Sequence, residues 1–123
     1  DRFVATVVKN TVDPKVPWGA TGQQAEYYAG SSDWKDVTGK RSDLQPGDIL
    51  IAGGPGGAAG HTAIFIGDHN GEPSVAQASW SHEVGAIYPI SQRWSEDLTD
   101  LLGQKYKVYR YVGANSGAVS DKA

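Results

Sequence analysis

The segment DILIAGGPGGAAGHTAIFIGDHNGEPSVAQAS, residues 48–79, decides the fold predicted for this chain. It contains three apolar runs rich in Val, Ile, Phe and Ala, with turn-forming residues between them, as β-strands have. Residues 53–60 predict a glycine-rich loop, and residues 68–71 end in Asn-Gly, which suits the positive φ of a hairpin turn. The segment therefore predicts three consecutive strands, over 48–52, 61–67 and 74–79.

Outward from this segment, the sequence predicts helices before it and strands after it. Thr21 can cap a helix over 22–29, which Gly30 would end, and residues 31–47 are polar and rich in turn formers. Apolar side chains at helical spacing predict an earlier helix from Asp1 to about Asn10, with one buried stripe formed by Phe3, Val4, Val7 and Val8. The later elements are strands over 84–88 and 106–112 and one or two helical turns over 95–102.

These elements predict the α+β class, with N-terminal helices packed against one face of an antiparallel meander of about five strands. The length of 123 residues suits one domain over 1–113, followed by a flexible tail over 114–123. No stretch approaches the roughly 20 apolar residues that a transmembrane helix needs. The net charge of −3 argues against a nucleic-acid partner, because such proteins usually present a basic face.

The chain contains neither cysteine nor methionine. The missing methionine predicts that it starts at a processing site or at an engineered boundary. The missing cysteine excludes disulfides, thiolate metal sites and a cysteine nucleophile from these 123 residues. No His, Asp and Glu set has metal-ligand spacing, and the loop at 53–60 lacks the Gly-Lys-Ser/Thr ending of a phosphate loop. We therefore expect neither a metal nor a cofactor.

Two polar residues on neighbouring predicted strands are the candidates for chemistry. His61 opens a strand directly after the glycine-rich loop, where an imidazole can be held rigidly beside a groove. Gln77 lies in a run of small apolar residues, where an unpaired amide costs about 1–3 kcal/mol. If the strands pair, Gln77 can accept a hydrogen bond from one imidazole nitrogen and leave the other to act as a base. The alternatives are a structural histidine and a glutamine that bonds only to the backbone.

Three motifs resemble the NlpC/p60 superfamily of papain-like cell-wall cysteine peptidases: LQPGDILIA at 44–52, GHTAIFIGD at 60–68 and VAQAS at 75–79. The resemblance puts His61 at the catalytic base and Gln77 at the residue that orients it. The opening DRFV is similar to the end of the family pattern Asp-Cys-Ser-Gly-Phe-Val, which implies a nucleophilic cysteine immediately before Asp1. The chain differs in having Asp-Arg for Ser-Gly, a long glycine loop and an insertion around 89–105.

The resemblance implies a papain-like NlpC/p60 fold and hydrolysis of amide bonds in peptidoglycan stem peptides. The cysteine would attack the carbonyl, its thiolate stabilised by the helix N-terminus and its own N–H contributing to the oxyanion hole. It further implies a monomer that is secreted or associated with the bacterial cell wall. The candidates for the sides of a substrate groove are Trp18, Tyr27, Trp80 and His82.

The sequence also allows two other functions. A non-catalytic module of the same fold could hold cell-wall peptides without cutting them, because the 123 residues lack a nucleophile. An acyltransferase or amidase could act on lipid or on another amide. The residue before Asp1 discriminates among them, since a cysteine there favours the enzyme.

Overall fold

The structure is a computed structural model that describes residues 2–18, 21–53, 60–78 and 85–113. Two helices come first, α1 (Arg2–Thr11) and α2 (Thr21–Gly30). The strands are β1 (Trp34–Asp36), β2 (Ile49–Ala52), β3 (His61–His69), β4 (Glu72–Ala78), β5 (Gly85–Pro89) and β6 (Lys107–Tyr111). Two short 3-10 helices cover Arg41–Asp43 and Ile90–Gln92. The predicted tail over 114–123 lies outside the described residues.

The six strands form one antiparallel sheet in the order β1-β6-β2-β3-β4-β5. β2, β3, β4 and β5 follow one another as a meander, and β6 returns along the other side of β2. The predicted strands over 48–52, 61–67 and 74–79 are confirmed as β2, β3 and β4, with shifts at their ends. The predicted turn is also confirmed, since Asn70 and Gly71 have φ values of 53° and 83°.

The Pro-Gly-Asp turn before β2 is fixed by hydrogen bonds from two directions. The Gly47 N–H donates to the Phe65 carbonyl at 2.7 Å, which joins the turn to β3. The buried Asp48 carboxylate accepts from the Gln45 N–H at 2.9 Å and from Arg110 Nε and Nη2, both at 2.8 Å. A two-pronged guanidinium–carboxylate pair of this kind holds both partners in one orientation. The turn therefore sets where β2 begins.

One face of the sheet is covered by the two helices. Alternate residues of β2 point to this face, and the helix residues that pack on them repeat at helical spacing, as the sequence predicts. The buried residues of this helix-side core are Val4, Ala5, Val8, Val16, Tyr28, Trp34, Ile49, Ile51, Ile64 and Tyr109.

A buried carboxylate anchors the α1–α2 connection to this core. Asp13 accepts hydrogen bonds from the Tyr27 hydroxyl at 2.7 Å, the Trp34 indole N–H at 2.8 Å and the Lys15 N–H at 3.0 Å. Burial acts to raise the pKa of Asp13, but these hydrogen bonds outweigh it and hold the pKa below its ordinary value. Burial and the bond to Asp13 also raise the pKa of Tyr27 to about 12.

The other face of the sheet is covered by the connection between β5 and β6, residues 90–106. Its apolar side chains pack on the strand residues that alternate with the helix-side set. The buried residues of this loop-side core are Leu50, Ala52, Ala63, Phe65, Val75, Ile90, Trp94, Leu98, Tyr106 and Val108.

The predicted fold class, a papain-like NlpC/p60 arrangement of helices on a five-stranded meander, is wrong. The sheet has six strands, and its last strand returns to pair with β2 instead of extending the meander. The added strand is β1, where Trp34 is buried and pairs across the sheet with Tyr111. The sequence did not predict β1, because three residues in a polar, turn-rich stretch show too little alternation of apolar and polar side chains to indicate a strand.

The helical turns predicted over 95–102 are also wrong. This segment is a folded loop held by isolated bridges between Trp94 and Asp100 and between Thr99 and Lys105. Leu98 is fully buried at a φ of 64°, a left-handed conformation that branched side chains rarely adopt and that an α-helix cannot contain. Burial of Leu98 in the loop-side core therefore overrides the local helical preference.

Candidate functional site

The His61 and Gln77 side chains meet on the loop-side face of the sheet. His61 pairs with Ala52 in the β2–β3 ladder, and cross-strand partners project to the same face. The distance between His61 Nε2 and Gln77 Oε1 is 2.5 Å, so the predicted hydrogen bond is confirmed. Gln77 is almost fully buried, whereas His61 is half-buried. The pair therefore has a fixed inner member and an outer ring that reaches solvent.

The hydrogen bond selects one tautomer of His61. Gln77 presents its carbonyl oxygen, which can only accept, so the His61 Nε2 must carry the proton and donate it. The Nδ1 atom then keeps its lone pair and can accept a proton from another group. Gln77 thus prepares the imidazole as a base with a single available nitrogen.

Close packing behind His61 explains the glycine that precedes it. A Cβ atom on Gly60 would lie 2.6 Å from Thr21 Cγ2 and 2.7 Å from the Ala52 carbonyl oxygen, so no larger residue fits. The start of α2 therefore presses on the backbone directly before His61. This contact fixes the end of β3 and, with it, the root of the imidazole side chain.

The Trp94 indole packs along the other side of the imidazole. The two ring centroids are 6.4 Å apart and the planes are 19° from parallel, while Tyr106 meets Trp94 edge-on at 5.4 Å. Trp94 is only 2% exposed, and its indole N–H has no acceptor within the described ranges. The near-parallel Trp94 ring restricts rotation of the His61 ring.

A cavity of about 250 Å³ opens beside the His61–Gln77 pair. This is close to the lower limit of roughly 300 Å³ for small-molecule sites in proteins. The rest of its lining comes mainly from the loop between β5 and β6, and includes Arg93, Trp94, Asp100, Leu101, Leu102 and Tyr106. The cavity is mostly apolar, with a few polar groups placed around the imidazole.

Asp100 organises the loop that forms this lining. Its carboxylate accepts from the N–H groups of Leu102 and Gln104, both at 2.9 Å, and from the Tyr106 hydroxyl at 2.8 Å. Burial and the bond to Asp100 raise the pKa of Tyr106 well above its ordinary value, so this hydroxyl stays protonated. The loop tip then projects Leu101 and Leu102, which are 77% and 81% exposed, beside the cavity.

Two predicted groove residues lie away from this cavity. Trp18 is half exposed, with Lys9 Nζ 5.6 Å from its ring centre, and Tyr27 packs against the helix-side core while bonding to Asp13. Neither lines the cavity beside His61. Trp80 and His82 lie outside the described residues. A substrate-binding role for all four stays a prediction.

The start of α1 lies at the same end of the sheet as His61. Phe3, in the first turn, packs so closely on Gly85 that a Cβ atom there would overlap its ring, and Gly85 pairs with Ala78 at the end of β4. Because Asp1 is outside the described residues, the expectation that the helix start faces the imidazole stays a prediction.

The described ranges hold no group of three His, Cys, Asp or Glu side chains that could bind a metal ion. Within the same ranges, no helix has the length and apolar character needed to cross a membrane.

Sequence reasoning found the imidazole and its amide partner but missed the rest of the cavity. Arg93 and Trp94 come from a segment with no strand or helix pattern, and Asp100 gave no sign of a partner. The available signal was the cluster of apolar and aromatic residues between 88 and 106, which is too rich for a solvated loop. Their meeting with His61 depends on the fold of the 90–106 segment over the sheet.

No protein-family model, curated protein or solved structure gives a significant match to this chain.

Proposed function

We propose that this chain carries the histidine base and the orienting residue of a cysteine peptidase that cleaves amide bonds in peptidoglycan stem peptides. The observation that carries the proposal is the hydrogen bond from His61 Nε2 to Gln77 Oε1, which leaves Nδ1 free to take a proton. The amide specificity and the cell-wall substrate rest on the resemblance of the 44–52, 60–68 and 75–79 motifs.

The chemistry follows from the single free nitrogen of the imidazole. A cysteine thiol beside His61 transfers its proton to Nδ1, and the thiolate attacks the carbonyl carbon of the scissile amide. The resulting imidazolium returns the proton to the leaving nitrogen, which departs as an amine and leaves a thioester. Water, deprotonated by the same nitrogen, then hydrolyses the thioester to a carboxylate and the free thiol. Throughout this cycle Gln77 keeps accepting from Nε2.

The thiol in this proposal is the cysteine that the motif pattern implies immediately before Asp1. His61 is the first residue of β3, at the end of the sheet where α1 also begins. Because α1 packs on the helix side while His61 projects to the loop side, the proposal requires the cysteine to reach His61 around this end of the sheet. A thiol at a helix N-terminus has a lowered pKa, which favours transfer of its proton to the imidazole.

The test compares three chains that differ by one added residue. The 123-residue chain, the chain with a cysteine placed before Asp1 and the chain with an alanine there are incubated with purified sacculi. Released fragments are measured by mass spectrometry. We expect fragments only from the cysteine chain, and His61→Ala in that chain should lower the rate about 10²–10⁴-fold. Equal release by all three chains, or none from the cysteine chain, would contradict the proposal.

The role of Gln77 has its own readout. Nitrogen-15 NMR of the imidazole distinguishes the Nε2–H tautomer from the Nδ1–H tautomer, and we expect Nε2–H in the unmodified chain. Gln77→Leu should allow both tautomers while leaving the circular dichroism spectrum unchanged. If that variant still contained only the Nε2–H tautomer, Gln77 would not be the residue that orients His61.

A second candidate is a module that binds cell-wall peptides without cutting them. It is favoured by the exposed Leu101 and Leu102 beside the cavity. Sedimentation with sacculi separates the two functions. Binding without fragment release by the cysteine chain would favour this second candidate.

A further inference from the structure

We infer that the cavity beside His61 contains a carboxylate-binding site, in which the Arg93 guanidinium recognises an acidic group of the ligand. Arg93 lines the same cavity as His61 and Gln77 and is half-buried. Within the described ranges no carboxylate forms an ion pair with it, in contrast to Arg41 and Arg110.

The orientation of Arg93 keeps its donors available. The guanidinium carbon lies 4.6 Å from the centre of the Tyr88 ring, so the aromatic ring supports the cation. A cation–π contact of this kind does not consume the N–H groups on the edge of the guanidinium. Those groups match the two oxygens of a carboxylate, which arginine binds in a two-pronged geometry.

The acidic side chains of the described loop between β5 and β6 are already engaged. Asp100 shares the cavity but accepts three hydrogen bonds from its own loop. Glu96 pairs with Arg41 at 2.9 Å, and Asp97 accepts a hydrogen bond from the Ser95 hydroxyl. The local acids are therefore committed to holding the loop, while the cation in the cavity lacks a described partner.

The surroundings strengthen attraction for an anion. Trp94, Leu101, Leu102 and Tyr106 give the cavity a largely apolar lining, where charges are screened less than in bulk water. The ligand class is accordingly a small peptide or amino-acid derivative with a free carboxylate next to an apolar group. This inference deepens the proposed function, since peptide substrates with such a carboxylate would be held beside the imidazole.

The experiment measures binding to the 123-residue chain, so that it needs no catalysis. The probes are N-acetyl-D-alanine and its neutral amide, titrated while the NMR signals of the Trp indole N–H groups are followed. We expect the acid to bind at least tenfold more tightly than the amide. Arg93→Gln should abolish this preference, and Arg93→Lys, which keeps the charge but not the planar fork, should retain part of it.

The matched control is Lys107→Gln, which removes an exposed cation that lies 3.8 Å from Asp36. It should leave the preference for the acid unchanged. Equal binding of acid and amide to the unmodified chain, or an undiminished preference in folded Arg93→Gln, would overturn the inference. The peptidase and the carboxylate site can fail separately. If the chain prefers the acid over the amide but the cysteine chain does not cleave sacculi, only the peptidase is refuted. If the cysteine chain cleaves but the acid is not preferred, only the carboxylate site is refuted.

Discussion

The two faces of the sheet are both covered, but by different kinds of structure. The helix side has two regular helices, an aromatic cluster around Trp34 and a buried carboxylate, Asp13, which accepts hydrogen bonds from Tyr27, Trp34 and the neighbouring Lys15 N–H. The loop side has the irregular 90–106 segment, and it leaves a cavity next to His61. Polar groups on the helix side thus serve the fold, whereas several on the loop side surround an open space.

This difference indicates where function can be built. The two helices cover one face of the sheet, and the start of α2 packs closely on Gly60, directly before β3. The loop then adds side chains around His61 without having to hold the sheet together by itself. A stable side and an adaptable side of one small sheet allow the lining of the cavity to change while the imidazole and its amide partner stay in place.

The largest effect that we predict on stability comes from the helix-side aromatic cluster. Trp34 is 6% exposed, its ring centre is 4.5 Å from that of Tyr28, and its indole donates to Asp13. Trp34→Ala should lower the free energy of unfolding by about 3–5 kcal/mol, measured by urea denaturation. Trp18→Ala is the matched control, because Trp18 is half exposed and should cost less than about 0.5 kcal/mol. If the two variants lost similar amounts of unfolding free energy, Trp34 would contribute no more to stability than an exposed tryptophan.

A smaller and pH-dependent effect is predicted at Asp13. Asp13→Asn replaces one carboxylate oxygen by an amide donor, which must face either the Tyr27 and Trp34 donors or the Lys15 N–H, and should cost about 1–3 kcal/mol at neutral pH. The pKa of Asp13 is lowered in the folded chain, so its stabilisation is present above the unfolded pKa and is lost as pH falls through the folded value.

The measurement is urea denaturation of both proteins between pH 7 and pH 2. The difference between them should be constant near neutral pH and should shrink below about pH 4. A difference that persists unchanged at pH 2 would show that the charge of Asp13 does not contribute. Asp68→Asn, at an exposed position near the β3–β4 turn, is the control and should leave the neutral-pH stability almost unchanged.

Much of the sheet could be predicted because its central strands carry their own signals. The β2 and β3 runs are β-branched and apolar, and Asn70-Gly71 indicates the hairpin. β1 could not be predicted, since its one buried residue, Trp34, gains its place from Tyr111 across the sheet. The course of β6 was missed for the same reason, because pairing order depends on contacts between distant segments.

The residues of the site also fall into those that the sequence could predict and those that it could not. His61 and Gln77 could be predicted as partners because both lie on strands joined by one hairpin, and alternation decides the face on which each side chain projects. Arg93 and Trp94 could not, since they reach the imidazole through a loop whose fold depends on burying Leu98 in an unusual backbone conformation. A local sequence pattern does not indicate the left-handed backbone at Leu98, because contacts with distant residues offset the strain of that conformation.

The smallest effect on stability is predicted at the loop tip. Leu101 and Leu102 are 77% and 81% exposed, so replacing both with serine buries no new polar group and should change the free energy of unfolding by less than about 0.5 kcal/mol. The same double variant should weaken binding of N-acetyl-D-alanine severalfold, because both leucines line the cavity. Val112→Ser, at a half-exposed position away from the cavity, should alter neither quantity. If the double variant unfolds more easily but binds N-acetyl-D-alanine normally, Leu101 and Leu102 stabilise the fold and do not contribute to binding.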